Sequence, residues 1–428
     1  MRITEMHITP IALGDPPLLN AAGLHAPYCL RTVVELRTSD GLSGLAEVPG
    51  SVAVDQALAA VREVVIGADP RNWHALRARL AERCAPETSV ARGDKPWDGR
   101  TRVQVYSALD VACLDLQGKA YGVRVADLLG GVVRERVPYS AYLFYKYEGA
   151  GGELGFGTDP RATGWAAARQ RAALDPDGIV AQAEAMVAEF GFQSIKLKGG
   201  CFEPAQEVAA IHALRRRFGP GVPLRLDPNA LWTVETSIRW GRDMEGVLEY
   251  LEDPCRTQAG MAEVRRMLKT PLATNMCTTS FDDLPGSVRL GSEDIILTDH
   301  HFWGGLRASM ELAAHCRTFA RGVSMHSNNH AGISLAAMTH LGAAMPNLSY
   351  ALDTHYPWQW EEIIVGGRIR FEEGAVVLPA GPGLGVELDR SALARAHAAY
   401  LRAGLTERND EIEMQKKVPG WKFAATRW

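Results

Sequence analysis

From about Val137 the chain repeats one pattern: a short apolar strand stops at a polar residue, a helical stretch follows, and another strand begins. The strands read "VPYSAYLFY", "SIKLKGG", "PLRLDPN", "LEYLEDP", "LATNMC", "DIILTD" and "GVSMHSNN", with helical segments such as "EPAQEVAAIHALRRRFG" and "GLRASMELAAHCRTFA" between them. Alternating β and α units make a parallel sheet, and this many units close into a barrel. The polar terminators fall in register. Counted from Lys196 (with Lys198), the residues Asp227, Glu252, Asn275, Asp299 and His326 follow at intervals of 31, 25, 23, 24 and 27 residues. The carboxyl ends of barrel strands converge on one mouth, which is where such folds do chemistry. One charged strand end is an ordinary satisfied loop group. Six in register, all of catalytic type, point to a site.

The residue types then define that site. Period-two alternation in "SIKLKGG" puts Ser194, Lys196 and Lys198 on one face. Alone, such lysines read as a solvent-facing strand edge; in register with the other strand ends they point into the mouth. Asp227, Glu252 and Asn275 offer only oxygen ligands from three adjacent strands, a set that suits Mg²⁺ and leaves positions open for substrate. Taken alone, Asn275 also fits a turn-capping amide. Two neighbouring lysines disfavour each other's protonation, so Lys198 is expected to act as a base with Lys196 tuning it. Asp299 stands one unit before His326 and is expected to fix its tautomer and raise its basicity. A lysine and a histidine facing each other across a metal serve proton abstraction next to a carboxylate.

The rest of the chain frames this barrel. Residues 1–135 read as strands, "RITEMHITPIAL" and "LRTVVELRTSDGLSGLAEVPG", followed by helices, which is the pattern of an α+β domain. The barrel is expected over 136–369, with the Gly-rich "EGAGGELGFGTDPRATG" as a surface loop. The segment from about 370 to 428 is expected to pack back on the first domain. A net charge of −4 with no basic block argues against nucleic acid, and no apolar run is long enough to span a bilayer. Seven scattered cysteines without a C-x-x-C pair argue against zinc or a disulfide framework, and with no secretory signal they point to the cytoplasm.

These residues resemble the enolase superfamily. "ALDVACLDLQGKAYGVRVADLLGG", "LRLDPN", "EDP" and "KLK" are similar to its approach to the barrel and its metal and base motifs. "KLKGG", "LDPNA", "LEDPC", "LATNM", "HFWGG", "HSNNHAGISLAAMTH", "DTHYPWQ" and "PGLGVELD" resemble the glucarate dehydratase subgroup, the Asn of "TNM" being the most specific. The resemblance implies an α+β capping domain on a modified (β/α)7β TIM-type barrel. It implies Mg²⁺-assisted loss of water from an acid sugar such as D-glucarate, giving 5-dehydro-4-deoxy-D-glucarate. Asp227, Glu252 and Asn275 would bind the metal. Lys198 and His326 would be the bases, His326 also protonating the departing hydroxyl. Asp299 would orient His326, and Lys196 would contact the substrate carboxylate. Asn229, Asn328 and His355 would add polar contacts, Asn229 close enough to count with the catalytic set. Asn20 and His25 in "LLNAAGLHAPY", Tyr142 at the first barrel strand, and Arg408 in "GLTERND" complete the substrate contacts. A homo-oligomer is the expected assembly. One departure bears on specificity: in "DKPWDGRTR", Pro96 stands where the subgroup has a substrate-binding threonine, so a hydrogen bond is lost or rerouted. The stretches "EDPCRTQAGMAEV" and "THYPWQWEEIIVGG" are also shorter than in typical members. A dehydratase or epimerase of a different aldarate or aldonate stays open as the alternative.

Overall fold

The first strand, β1 (Ile3–Gly14), pairs antiparallel with β4 (Tyr28–Thr38), which continues through an Asp-Gly turn into β5 (Ser43–Pro49). Between β1 and β4 lies a small hairpin of β2 (Leu19–Asn20) and β3 (Gly23–Leu24). The long helix Thr101–Tyr121 lies on this sheet and is buried along almost its whole length. The computed structural model of the chain describes residues 1–84 and 100–428. Pro96, the departure noted in the sequence, lies outside the described residues.

A short strand β6 (Arg136–Pro138) leads into the barrel. Its strands are β7 (Ala141–Phe144), β8 (Ile195–Lys198), β9 (Leu224–Asp227), β10 (Tyr250–Glu252), β11 (Leu272–Thr274), β12 (Ile295–Thr298) and β13 (Gly322–Met325). They form one parallel sheet in chain order. All seven are the runs expected from the sequence. The ring closes through residues 348–353: Leu348 bridges Val323, Leu352 bridges Tyr139, and Asp353 N–H donates to Met325 O at 3.0 Å. Each of the seven connections between these eight segments carries a helix, from Pro176–Phe190 to Gly332–Ala344. This is the (β/α)7β order.

Period-two alternation sorts the strand residues. Leu197, Leu226, Leu251, Leu272, Ile296 and Val323 join the main core under the helices. Tyr250, Ala273, Ile295 and Leu297 form a small separate apolar cluster, on the inward face that also carries Lys196 and Arg225. After the barrel, β14 (Ala375–Val377) pairs with β6, and the helix Arg390–Ala403 packs on β1. The final helix, Asp410–Gln415, packs on β3. The insertion at 148–164 is not wholly a surface loop: Gly152 N–H donates to Pro27 O at 2.6 Å, which wedges its first half against the cap. No helix among the described residues is long and apolar enough to cross a membrane.

Candidate active site at the barrel mouth

The turn after β8 explains why the sequence runs Lys-Gly-Gly. The chain folds back at once around Glu207, which is fully buried and accepts from the N–H groups of Gly200 (3.0 Å), Cys201 (2.8 Å) and Phe202 (3.0 Å). A Cβ at residue 199 would lie 2.5 Å from a Glu207 oxygen, and Gly200, at φ +75°, would bring one 2.6 Å from Pro228 O. Only glycine fits both positions. Burial outweighs the three N–H bonds and, with Asp227 nearby, pushes the Glu207 carboxyl up to about 7.

The two lysines point into the barrel, as expected. Lys198 Nζ donates to Asp227 Oδ2 at 2.7 Å. Lys196 is ion-paired with Glu252 (2.5 Å) and Asp353 (2.6 Å), has Asp227 at 3.9 Å, and lies over the Tyr142 ring at 4.8 Å. One expectation is corrected here. Mutual depression of basicity fails for Lys196: burial opposes its charge, but Asp353 and Glu252 outweigh burial and hold it well above the ordinary lysine range.

Asp227, Glu252 and Asn275 come together around these ammonium groups. Asn275 Nδ2 donates to Glu252 Oε1 at 2.6 Å, leaving its Oδ1 buried with no hydrogen-bond partner among the described residues. Asp227, Glu252 and Asp353 set three carboxylates against the two lysines. Arg225, 3.5 Å from Asp353, brings its own partner Glu249 at 2.7 Å, so one surplus negative charge stands. Burial and Asp227 therefore push Glu252 well above the ordinary carboxylate range. Burial raises Asp227 too, but Lys198 and Lys196 outweigh it and hold Asp227 low. A buried surplus of negative charge beside an orphaned amide oxygen is what a hard divalent cation satisfies, so these residues fit Mg²⁺. Asn229, held at φ 56°, braces this corner: its N–H donates to Asp227 Oδ1 (3.0 Å) and its Nδ2 to Asp227 O (3.2 Å).

Asp299 and His326 also meet. Asp299 Oδ2 takes His326 Nδ1 at 3.1 Å and Asn328 Nδ2 at 3.4 Å, while Oδ1 takes His301 Nδ1 at 2.8 Å. Burial disfavours the Asp299 charge, but His301 and then His326 hold its carboxyl well below the usual range. Asp299, His300 and His301 bring possible metal-binding atoms within 4.8 Å of one another, yet Asp299 and His301 spend theirs on each other and on His326.

The cap and the C-terminal segment contribute a third group. Arg408 pairs with Asp410 (2.7 Å) and donates to His25 Nε2 (2.5 Å); His25 Nδ1 meets Asp15 (2.8 Å). Asn20 Nδ2 donates to Asp410 at 2.6 Å, and its Oδ1 accepts from Ala22 N–H. Thus Asn20, His25 and Arg408 converge, each held by protein partners. Together with Asn328 and Asn329, His25 and Arg408 line a cavity of about 710 Å³. The lysine–carboxylate cluster is not part of that wall. Between the groups lie Tyr142 and His355, ring centroids 4.8 Å apart. The Tyr142 hydroxyl is buried with no hydrogen-bond partner among the described residues. Burial, with His25 and His326 close by, pushes His355 well below the usual histidine range.

With this geometry in place, two family domains match the chain. The "Mandelate racemase / muconate lactonizing enzyme, N-terminal domain" matches residues 26–130, and "Enolase C-terminal domain-like" matches residues 178–392. A "Probable glucarate dehydratase" of Streptomyces coelicolor is 44% identical, covering 100% of this chain and 99% of that protein. The chain belongs to the enolase superfamily. It is an enzyme of that superfamily's dehydratase class. Among solved structures, an enolase from Thermobispora bispora complexed with magnesium and formate has TM-score 0.93 and 49% identity, covering 100% of both chains. One from Pseudomonas fluorescens with bound magnesium, potassium and tartrate has TM-score 0.92 and 44% identity, covering 100% of this chain and 99% of that one.

Several site members escaped the sequence reading. Asp353 had a usable signal: it ends "LSYALD" 27 residues after His326, within the 23–31-residue spacing of the other terminators. Ser349 and Tyr350 interrupt that apolar run, so the eighth strand was not recognised. Asp15, Asp410 and Glu207 are buried carboxylates in loops or at a helix start, where no periodicity marks them.

Proposed function

We propose that this chain removes water from an acid sugar in a Mg²⁺-dependent reaction, with D-glucarate as substrate and 5-dehydro-4-deoxy-D-glucarate as product. The observation that carries this reading is the pairing of Lys198, on the second barrel strand, with the Asp299–His326 pair at the sixth and seventh, around a carboxylate cluster with surplus negative charge. Asp227, Glu252 and Asn275 would hold Mg²⁺, whose charge would stabilise the substrate carboxylate as its α-carbon becomes more electron-rich. Lys198 or His326, according to the epimer bound, takes the α-proton. Asp299 holds His326 Nδ1, so Nε2 exchanges protons with substrate. His326 then gives a proton to the hydroxyl on the β-carbon, water departs, and the enol becomes the ketone. Asn20, His25, Arg408 and Asn328 orient the polyol and its far carboxylate, with Tyr142, Asn229 and His355 beneath. The name of the Streptomyces relative and the tartrate, a hydroxylated dicarboxylate, of the Pseudomonas structure support the substrate class. Pro96 favours a second reading, a different aldarate or aldonate handled by the same residues.

The test is a screen of five- and six-carbon acid sugars with Mg²⁺, scoring 2-oxo product. D-glucarate should rank first. Turnover confined to monocarboxylates would overturn the glucarate assignment, and epimerisation without any ketone would overturn dehydration.

A further inference from the structure

The Asp299–His326 pair does not end at Asp299. Its second carboxylate oxygen accepts from the backbone N–H of His301 (2.9 Å) and meets His301 Nδ1 (2.8 Å). The far ring nitrogen of His301, Nε2, lies 3.1 Å from an N–H of Arg31. Arg31 is on β4 of the cap and is ion-paired with Glu47 on β5 at 2.7 Å. Glu47 in turn accepts from the N–H groups of Ala331 (2.8 Å) and Ser334 (3.1 Å), at the start of the last barrel helix. Every member of this chain is buried.

Hydrogen-bond chemistry fixes the proton positions. A carboxylate only accepts, so His301 Nδ1 carries a proton toward Asp299 Oδ1, while Nε2 meets an Arg31 N–H (3.1 Å), the Ser334 hydroxyl (3.0 Å) and Glu47 O (3.1 Å). The Ser334 hydroxyl donates to Glu47 O (3.2 Å) and accepts from Arg31 (3.3 Å), so Arg31, Ser334 and Glu47 together enclose Nε2. His301 therefore donates to Asp299 Oδ1, which leaves Oδ2 for His326. Burial opposes the Asp299 charge, and His301 offsets that more than His326 does. We infer that His301 is a positioning residue for His326, its Nδ1–H held on Asp299 and its Nε2 enclosed by Arg31 and Glu47 of the cap, so that docking of the cap sets the geometry of the proton-transferring pair. This rests on the reading above that His326 is a base.

Asparagine and glutamine at 301 separate the possibilities. His301→Asn places an amide N–H near the position of Nδ1; His301→Gln carries it one bond further, toward Arg31. Both are polar and of similar size, and circular dichroism checks that each folds. The readout is solvent deuterium exchange of D-glucarate and its C5 epimer L-idarate, followed by NMR in D₂O with Mg²⁺. His301→Asn should keep both exchange rates within about threefold of wild type. His301→Gln should slow exchange of the His326-facing epimer by about 10- to 100-fold, as for other partners that orient a reacting group, and leave the Lys198-facing epimer within about threefold. Equal behaviour of the two variants, or parallel loss of both exchanges in His301→Gln, would overturn the inference. His326→Asn in the same series isolates the reading beneath it. Wild-type exchange of both epimers in that variant removes His326 as a base, and the inference falls with it. Loss of one epimer there, with both retained in His301→Gln, leaves His326 standing and removes only His301.

Discussion

Burial pushes the Glu252 carboxyl up, and so does its place in a cluster that carries more negative charge than its lysines neutralise. Glu252→Gln removes that charge and keeps the shape. The metal-free protein should then be at least as stable as wild type, because a buried surplus charge is costly. The same change should erase stabilisation by Mg²⁺, which for a ligand at 100 times its dissociation constant is about 2.7 kcal/mol. Thermal melts with EDTA and with Mg²⁺ check both halves; a variant still stabilised like wild type would remove Glu252 from the ligand set. At this scale the sequence was informative about residues that end strands, since strand period and unit length fix where they point. Their partners were not legible. Arg408 reaches His25 and Asp410 reaches Asn20 only because the C-terminal segment meets the cap.

The turn from β8 into the helix Pro204–Phe218 depends on one side chain. Glu207→Ala would leave the N–H groups of Gly200, Cys201 and Phe202 without their acceptor in a buried turn. Unsatisfied buried donors cost about 1–3 kcal/mol each, less where water enters, so a loss of about 3 kcal/mol or more is expected by urea denaturation. Turnover should fall as well, because this turn fixes the end of the strand that carries Lys198. A loss below about 1 kcal/mol would show that the turn holds its shape without Glu207. The seven strand runs were visible as apolar stretches. The closing segment 348–353 was hidden, because it pairs through isolated bridges and carries polar residues.

Across the whole molecule, buried histidines set a response to acid. Burial lowers His340 from 6.5 to about 4, and its Nδ1 accepts from Ala126 N–H at 3.2 Å. The unfolded chain takes up this proton below about pH 6.5 and the folded chain only below about 4. The contribution of His340 is thus fully present above pH 6.5 and lost as pH falls through 4, by about 3 kcal/mol. His330, lowered to about 4 by burial, acts in the same direction. Glu207, raised to about 7, acts oppositely, losing stability as pH rises from 4.5. His340→Asn keeps an acceptor and removes the titration. The stability difference between variant and wild type should therefore change between pH 6.5 and 4 in the sense that wild type loses more; a difference independent of pH would show that His340 is not held neutral. The sequence by itself determined the alternation that makes a parallel barrel, the strand ends that gather lysines, carboxylates and histidine at one mouth, and the family. Those features repeat locally, at the period of a strand or the length of one unit. Only the tertiary structure decided that Asp353 holds Lys196, that Arg31 and Glu47 of the cap reach Asp299 through His301, and that Arg408 meets His25. These contacts join residues far apart in the chain, and no local period encodes which buried charge will neutralise which.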